Sequence, residues 1–206
     1  MKPLFIAIEG LDGSGGTTQS KLLQKWLQDK GENVFLTREP TQRTVGKFIR
    51  QALRTDTEEG LLAENVLPFL FAADRQDHLN SEIHPNLNAG SWVITDRYYH
   101  SSLAYQSLSV GLKTVADLNK DFLRPDITFV LWLEPHLSFK RIEQRGAQVE
   151  RFETLERLST ISKAYEEVIA YSKERGERIL KINADRSIET IHDELCSTIE
   201  AFIGES

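Results

Sequence analysis

Cysteine is almost absent from this chain. Of 206 residues only Cys196 carries a thiol, so an internal disulfide is excluded and a reducing compartment, the cytosol, is the expected setting. Long apolar runs are absent too. None approaches the roughly 20 residues that a membrane-crossing helix needs, and the N-terminal run Leu4–Ile8 is too short for a signal peptide and runs into Glu9. Positive charge is in deficit, with 25 Lys and Arg against 31 Asp and Glu and a net charge of −6. That argues against the basic face that nucleic-acid binding demands. It leaves room for a small anion held by a few local arginines. Repeats and low-complexity linkers are also missing. The length predicts one domain over 1–206 carrying at most a small lid.

One further absence is more telling. The segment Glu9-Gly10-Leu11-Asp12-Gly13-Ser14-Gly15-Gly16-Thr17-Thr18 follows the phosphate-loop pattern G-x-x-x-x-G-K-[ST] at Gly10, Gly15 and Thr17, but glycine stands where the lysine belongs. The context still predicts a phosphate loop. Leu4–Ile8 reads as a strand buried on both faces. After the loop, Leu22, Leu23, Trp26 and Leu27 recur at helical spacing until Gly31, a C-terminal cap. Strand, glycine loop and helix together aim backbone N–H groups at a polyphosphate. Gly13, Gly15 and Gly16 would let the backbone approach closely, and Thr17 would place its hydroxyl on a magnesium ion. Read alone, the same segment is a tight glycine turn without a ligand.

Strand-like runs at Leu4–Ile8, Asn33–Thr37, Trp92–Thr95, Ile127–Leu133 and Arg178–Ile182 alternate with amphipathic stretches near 17–30, 44–54, 62–88, 98–122, 136–145, 154–175 and 187–203. This alternation predicts an α/β fold: a parallel five-stranded sheet of the phosphate-loop NTPase type with helices on both faces. Ligands in such sheets sit at the carboxyl ends of the strands. Gly10–Thr17, Arg38-Glu39-Pro40 and Asp96-Arg97-Tyr98 each follow a strand directly, so they should surround one crevice. A polar interruption from Gly146 to Glu153 reads as a lid, set at about 143–153.

Asp96, an acid at a strand end beside the loop, is placed to hold magnesium directly or through water. Arg97 could clamp a phosphate with its planar fork. A lone Asp-Arg pair is otherwise a strand-end salt bridge. Arg38, and Arg50 on the next helix, could reach the same phosphate, with Glu39 orienting them or a metal-bound water. Arg50 could equally lie on a solvated helix face. Phe71, one helical turn before Arg75, could stack a base while the arginine meets its edge; taken singly, Phe71 and Tyr105 are core residues. Arg141 and Arg145 share a helix face, and Arg151 lies in the polar loop. A surface role suits Arg141, while Arg145 and Arg151 suit a phosphate at least as well as solvent.

These pieces occur together in one family. The chain resembles thymidylate kinase (dTMP kinase) of the bacterial type. The matching residues are Glu9–Gly13 through Thr17-Thr18-Gln19, Thr37-Arg38-Glu39-Pro40, Phe71-Ala72-Ala73-Asp74-Arg75, and Asp96-Arg97-Tyr98 with Ser101–Gln106. Arg124-Pro125-Asp126, Arg151-Phe152-Glu153 and Asn183-Ala184-Asp185 match as well. The resemblance spans the chain and implies transfer of the γ-phosphate of ATP to dTMP, with Mg2+, by a homodimer. It implies that Phe71 stacks on thymine and Arg75 contacts its edge, and that Tyr105 lies against the deoxyribose. Ser102 and Gln106 would belong to the same nucleotide site. Arg38, Arg50 and Arg97 would hold the dTMP phosphate. Asp12 would meet the sugar 3′-OH or the acceptor end. ATP would rest on Gly10 and Asp12 through Thr18, with Arg141 and Asn183, the adenine near Asn183-Ala184-Asp185. Arg145 and Arg151 would reach over its phosphates from the lid, as in bacterial forms whose loop, like Ser14 here, offers no arginine. Asp12, Glu39, Arg97, Arg145 and Arg151 are then the expected catalytic set, and Thr17 and Asp96 the metal ligands.

Two departures from the family pattern stand out. Thr41-Gln42-Arg43 stands where bacterial members usually have Gly-Gly-Thr, and Gly16 replaces the loop lysine. Loss of one preorganised donor typically costs about 10²–10³ in rate. Either a lid arginine replaces the charge, or the chain binds nucleotides and reacts slowly, or it is a non-catalytic relative. The intact acceptor site, metal acid and lid arginines favour the first.

Overall fold

Five apolar runs form strands: β1 (Phe5–Gly10), β2 (Val34–Arg38), β3 (Trp92–Asp96), β4 (Ile127–Trp132) and β5 (Ile179–Asn183). The computed structural model describes residues 3–53, 62–145 and 154–205. All strand pairings are parallel and the order is β2-β3-β1-β4-β5. The helices are α1 (Gly16–Asp29), α2 (Thr44–Leu53), α3 (Leu67–His78), α4 (His84–Asn88), α5 (Tyr99–Tyr105), α6 (Ser107–Val110), α7 (Leu112–Asn119), α8 (Pro135–Arg145), α9 (Leu155–Glu174) and α10 (Ile188–Glu205). The expected fold stands: a five-stranded parallel sheet between helices, of the phosphate-loop NTPase type.

Alternation along β1 divides the interior. Phe5 and Ala7 point to one layer, where Leu103 and Ala104 of α5 and Tyr165 and Val168 of α9 pack. Ile6 and Ile8 point to the other, against Leu23 and Leu27 of α1 and Leu195 and Ile199 of α10. Both faces of the strand are buried, which is why it reads as a continuous apolar run. Fully burying each such side chain contributes about 1.5–3 kcal/mol.

Two long amphipathic stretches are more broken than their periodicity suggests. The 62–88 stretch contains a wide i→i+5 turn over Leu79–Ile83, just ahead of Pro85 in the first turn of α4. Proline has no N–H to give and its ring crowds the carbonyl four residues back, so the helix opens there. The 98–122 stretch divides into α5, α6 and α7, with Gly111 at φ 84° separating the last two. Gly31, at φ 84°, does follow the end of α1 as expected.

Register brings the strand ends together. Asp96 of β3 lies opposite Ile8 of β1 and Arg38 of β2. The ladder continues one step further: Arg97 N–H donates to Ile8 C=O at 2.8 Å, and Glu39 N–H donates to Asp96 C=O at 3.1 Å. Gly10 pairs with Leu131 and Asn183 with Trp132. The three predicted loops therefore leave the sheet side by side.

Candidate active site

The phosphate loop bends by glycine conformations that side chains avoid. Gly10, Gly13 and Gly15 have φ of 144°, 80° and 102°. At Gly13 a second demand applies, because a Cβ there would lie 2.9 Å from Ser138 C=O. Helix α8 is seated on the loop at this point, and the Ser138 hydroxyl donates to Asp12 C=O. Arg141, one turn on, donates to Gly13 C=O at 3.4 Å and Ala184 C=O at 3.2 Å. It joins the loop to the turn after β5, where Asn183 Oδ1 accepts the Asp185 N–H at 2.9 Å. Gly16 behaves differently from the other loop glycines. It opens α1, and a Cβ there would stand 2.9 Å from Asp96 Oδ1. The other Asp96 oxygen accepts the Thr17 hydroxyl at 2.5 Å.

The loop encloses a cleft of about 370 Å³, lined by Gly10–Thr18 with Arg38, Asp96, Arg97 and Arg141. Arg97 is the organiser. Its backbone is left-handed (φ 75°), a strained state for an arginine that the surroundings must enforce. Its guanidinium donates to Gly10 C=O at 2.9 Å, Ser101 Oγ at 3.0 Å, Asp12 Oδ1 at 2.7 Å and Tyr105 Oη at 3.3 Å. Tyr105 in turn donates to Asp12 Oδ2 at 3.0 Å, and the guanidinium lies over its ring. Burial alone would weaken the Arg97 charge, but Asp12, Tyr105, Tyr165 and Asp96 outweigh it and hold the group well above its ordinary value.

Beneath Arg97 lies Glu9, which the composition of the motif shows but the expected site did not include. It ends the apolar run of β1 and is 1% exposed. Its carboxylate accepts the Tyr98 N–H at 2.9 Å, the Ser101 N–H at 3.2 Å and hydroxyls from Ser101 at 2.5 Å and Tyr165 at 3.1 Å. Burial pushes the carboxyl up from the usual range, against His100, Ser101, Arg97 and the Tyr98 amide, which pull it down. The detectable signal was a charged residue terminating a strand buried on both faces. Tyr165 and Ser138 lie on α9 and α8 and had no comparable signal.

On the acceptor side a buried ionic chain runs under the loop after β2. Arg75 is fully buried; it donates to Glu39 Oε2 at 2.6 Å, to Ser102 Oγ at 3.0 Å and to Asn119, and lies over the Tyr98 ring. Its Nε has no hydrogen-bond partner among the described residues. Glu39 Oε1 meets His78 Nδ1 at 3.0 Å, and His78 Nε2 meets Thr37 Oγ1 at 2.8 Å. The Glu39–Pro40 peptide is cis. Phe71 is half-buried against the core, and Gln106 is buried. Arg38 lines the cleft. Arg50 donates to Pro40 C=O at 2.6 Å and Gln42 Oε1 at 2.9 Å, so it braces the loop beside the cleft.

The departure at Thr41-Gln42-Arg43 has a local explanation. Thr41 gives its N–H and hydroxyl to Asp74 at 2.8 and 2.6 Å, and Arg43 pairs with Asp77 at 2.5 Å. Both anchor the loop to α3. Arg151 and the segment 146–153 lie outside the described residues, as does the Arg145 side chain. The structure thus brings Asp12, Thr17, Arg38, Asp96, Arg97 and Arg141 to one cleft.

A family model described as thymidylate kinase matches residues 8–195. The chain belongs to the thymidylate kinase family. A probable thymidylate kinase of Thermococcus kodakarensis is 37% identical over 208 residues, covering 98% of this chain and 100% of that protein. A thymidylate kinase of an Exiguobacterium species is 37% identical over 97% of this chain and 96% of its own length. One from Leptospira interrogans is 39% identical over 82% of each chain.

Proposed function

We propose that this member of the thymidylate kinase family transfers the γ-phosphoryl group of ATP to dTMP, forming dTDP and ADP. The observation that carries the reading is the position of Arg97. It joins the phosphate loop, through Gly10 C=O and Asp12, to Tyr105 on the acceptor side. A cation held there meets both the transferred group and the acceptor phosphate. Phosphoryl transfer needs little beyond such positioning and charge. The acceptor oxygen is already anionic near neutral pH, so Glu39 serves to hold Arg75 and His78 rather than to remove a proton.

Phe71 and the unspent Nε donor of Arg75 support recognition of a base by stacking and by its edge. Arg38 and Arg97 suit the dTMP phosphate, and Arg50 acts on it through Pro40 C=O and the Gln42 side chain. ATP phosphates suit the N–H groups of Gly13–Thr18, with Arg141 linking loop and adenine turn. Among the described residues no group of three or more His, Cys, Asp and Glu could cage a metal. Thr17 and Asp96 are hard oxygen donors at one end of the cleft, and they fit Mg2+, which usually takes one or two protein ligands plus phosphates. Bound there, Mg2+ would neutralise charge on the phosphates.

Position 16 supplies no cation, so the charge comes from elsewhere; Arg145 and Arg151 of the lid segment are one source. Phe48 on α2 and Phe69 on α3 are 48% and 54% exposed, which supports the expected homodimer. No helix among the described residues is long and apolar enough to cross a membrane. The deciding experiment is steady-state dTDP formation from ATP, dTMP and Mg2+, with dUMP as competitor. Turnover of about 1–100 per second with preference for dTMP is expected. Nucleotide binding without dTDP would favour the second reading, a binding-only relative, which Gly16 alone recommends.

A further inference from the structure

A second cavity, of about 410 Å³, opens beside the phosphate cleft. The two spaces share Thr17, Arg38 and Asp96 as lining residues. The second adds Lys21, an exposed residue one helical turn into α1. Thr17 and Lys21 are four apart and so lie on one face of the helix. Long side chains on a helix lean toward its N-terminus, so the Lys21 ammonium is carried back toward Thr17 and the mouth of the phosphate loop.

Of the other cations around the loop, Arg97 and Arg141 are committed, while Arg38, which lines both spaces, is assigned above to the dTMP phosphate. Arg97 is held by Asp12 and Gly10, and Arg141 by Gly13 and Ala184. Along α1 itself, Lys25 pairs with Asp29 and Lys30, just past its end, with Glu200. Lys21, like Arg38, is engaged by no hydrogen bond or ion pair among the described residues. The Gly16 site, meanwhile, has room for no side chain while Asp96 stays where it is, with Oδ1 2.9 Å from the position of a Cβ. A Cβ at 16 and the observed Asp96 compete for one space, and the same Asp96 also lines the cavity that holds Lys21.

We infer that Lys21 brings to the transferred phosphoryl group the positive charge that position 16 lacks, reaching it past Thr17 and Asp96. Its part is electrostatic. It donates N–H groups to a phosphate oxygen, and it transfers no proton. This rests on the kinase reading above and adds a residue that the motif does not contain.

The test is turnover with ATP, dTMP and Mg2+ for the unmodified chain, Lys21→Met, Lys21→Arg, Lys25→Met, Gly16→Lys and the double variant Gly16→Lys with Lys21→Met. Lys21→Met should lower kcat by about 10²-fold, with unchanged melting, because an exposed substitution rarely matters to stability. Lys21→Arg should recover part of the loss, and Lys25→Met should retain full turnover. In the Gly16→Lys background the cost of Lys21→Met should fall below about threefold, since the two lysines would serve one need. Full turnover by Lys21→Met overturns the inference and leaves the kinase reading intact. So does an equal cost in both backgrounds. Activity that appears only with Gly16→Lys overturns it too, because Lys21 then compensates for nothing. Silence of both the unmodified chain and Gly16→Lys counts against the kinase reading itself.

Discussion

Asp96 fills the space in which a side chain at position 16 would begin. One carboxylate oxygen lies 2.9 Å from where a Cβ at Gly16 would stand, and the other accepts the Thr17 hydroxyl at 2.5 Å. The missing lysine and the placement of the strand-end acid are therefore a single geometry.

That geometry predicts tolerance of a small side chain. The obstacle at Gly16 is the end of a short, rotatable side chain, and the glycine is not left-handed. Alanine in a helix gains roughly 0.5–1 kcal/mol over glycine, which offsets the shift of Asp96. Gly16→Ala should melt within about 3 °C of the unmodified chain. A loss above about 2 kcal/mol, a large effect for one substitution, would mean that Asp96 is fixed by more than Thr17.

Arg75 should matter twice. It is buried opposite Glu39 at 2.6 Å, so removing the guanidinium leaves a buried carboxylate with only His78 beside it among the described residues. Breaking such a pair costs about 3–5 kcal/mol. At roughly 2–4 °C per kcal/mol for a chain of this size, Arg75→Met should lower Tm by roughly 6–20 °C. Adding Glu39→Gln should recover part of it by removing the unpaired charge. If Arg75 also reads the base, the KM for dTMP rises in both variants while that for ATP stays. Unchanged dTMP KM in folded Arg75→Met would confine Arg75 to structure.

Gly46 carries a close approach rather than an unusual torsion. A Cβ there would overlap the Thr41 backbone, which is itself tied to Asp74 at 2.6 and 2.8 Å. Backbone cannot give way as a side-chain tip does. Gly46→Ala should therefore displace the 38–43 loop, costing about 1–3 kcal/mol as overpacking and weakening dTMP binding more than ATP binding. Calorimetry with each nucleotide separates these. Equal loss for both would argue for general unfolding.

Glu177 gives a pH dependence with a definite sign. Burial pushes its carboxyl up, but hydrogen bonds from His100 at 2.9 Å and Tyr99 at 2.5 Å outweigh that and hold it below the ordinary value. A depressed folded value means stability fully present above the unfolded value, near 4.3, and lost as pH falls through the folded one. Hydrogen bonds to a charged group contribute about 1.5–3 kcal/mol. Glu177→Gln should be less stable than the unmodified chain at pH 7, with the difference shrinking below about pH 4. A difference independent of pH between 3 and 7 would show that charge is not its basis.

The sheet was legible because its central strands β1, β3 and β4 are buried on both faces and read as plain apolar runs, and Gly31 announced the end of α1. The breaks at Gly111 and before Pro85 were less visible, since periodicity continues through them while backbone geometry does not. In the site, loop glycines and strand-end Asp96 and Arg97 carry local signals. Glu9 carries a weaker one, a charge ending a buried strand, whereas Tyr165 and Ser138 carry none, because what makes Tyr165 part of the site is contact across 156 positions with Glu9. Arg43, an unexplained cation in the sequence, proved to be the partner of Asp77 on a distant helix. Arg50, expected either at a phosphate or on a solvated helix face, donates to Pro40 and Gln42 beside the cleft.

Arg97 offers the sharpest test of the organising role assigned to it. Its left-handed backbone at φ 75° is a cost accepted by the fold, and its fork meets Asp12, Gly10, Ser101 and Tyr105 at once. A lysine keeps the charge but offers a single point donor, which cannot reproduce that fan of bonds. Arg97→Ala should lower kcat/KM by about 10²–10³, and Arg97→Lys should recover less than about tenfold of it, because geometry rather than charge is what is lost. Tyr105→Phe, which removes one bond to Asp12 and one from Arg97, should cost much less. Alanine and lysine both keep a Cβ, so the left-handed backbone is as strained in these variants as in the unmodified chain and does not enter the comparison. If Arg97→Lys turns over like the unmodified chain, the cation alone suffices and the Asp12–Arg97–Tyr105 arrangement is incidental to transfer.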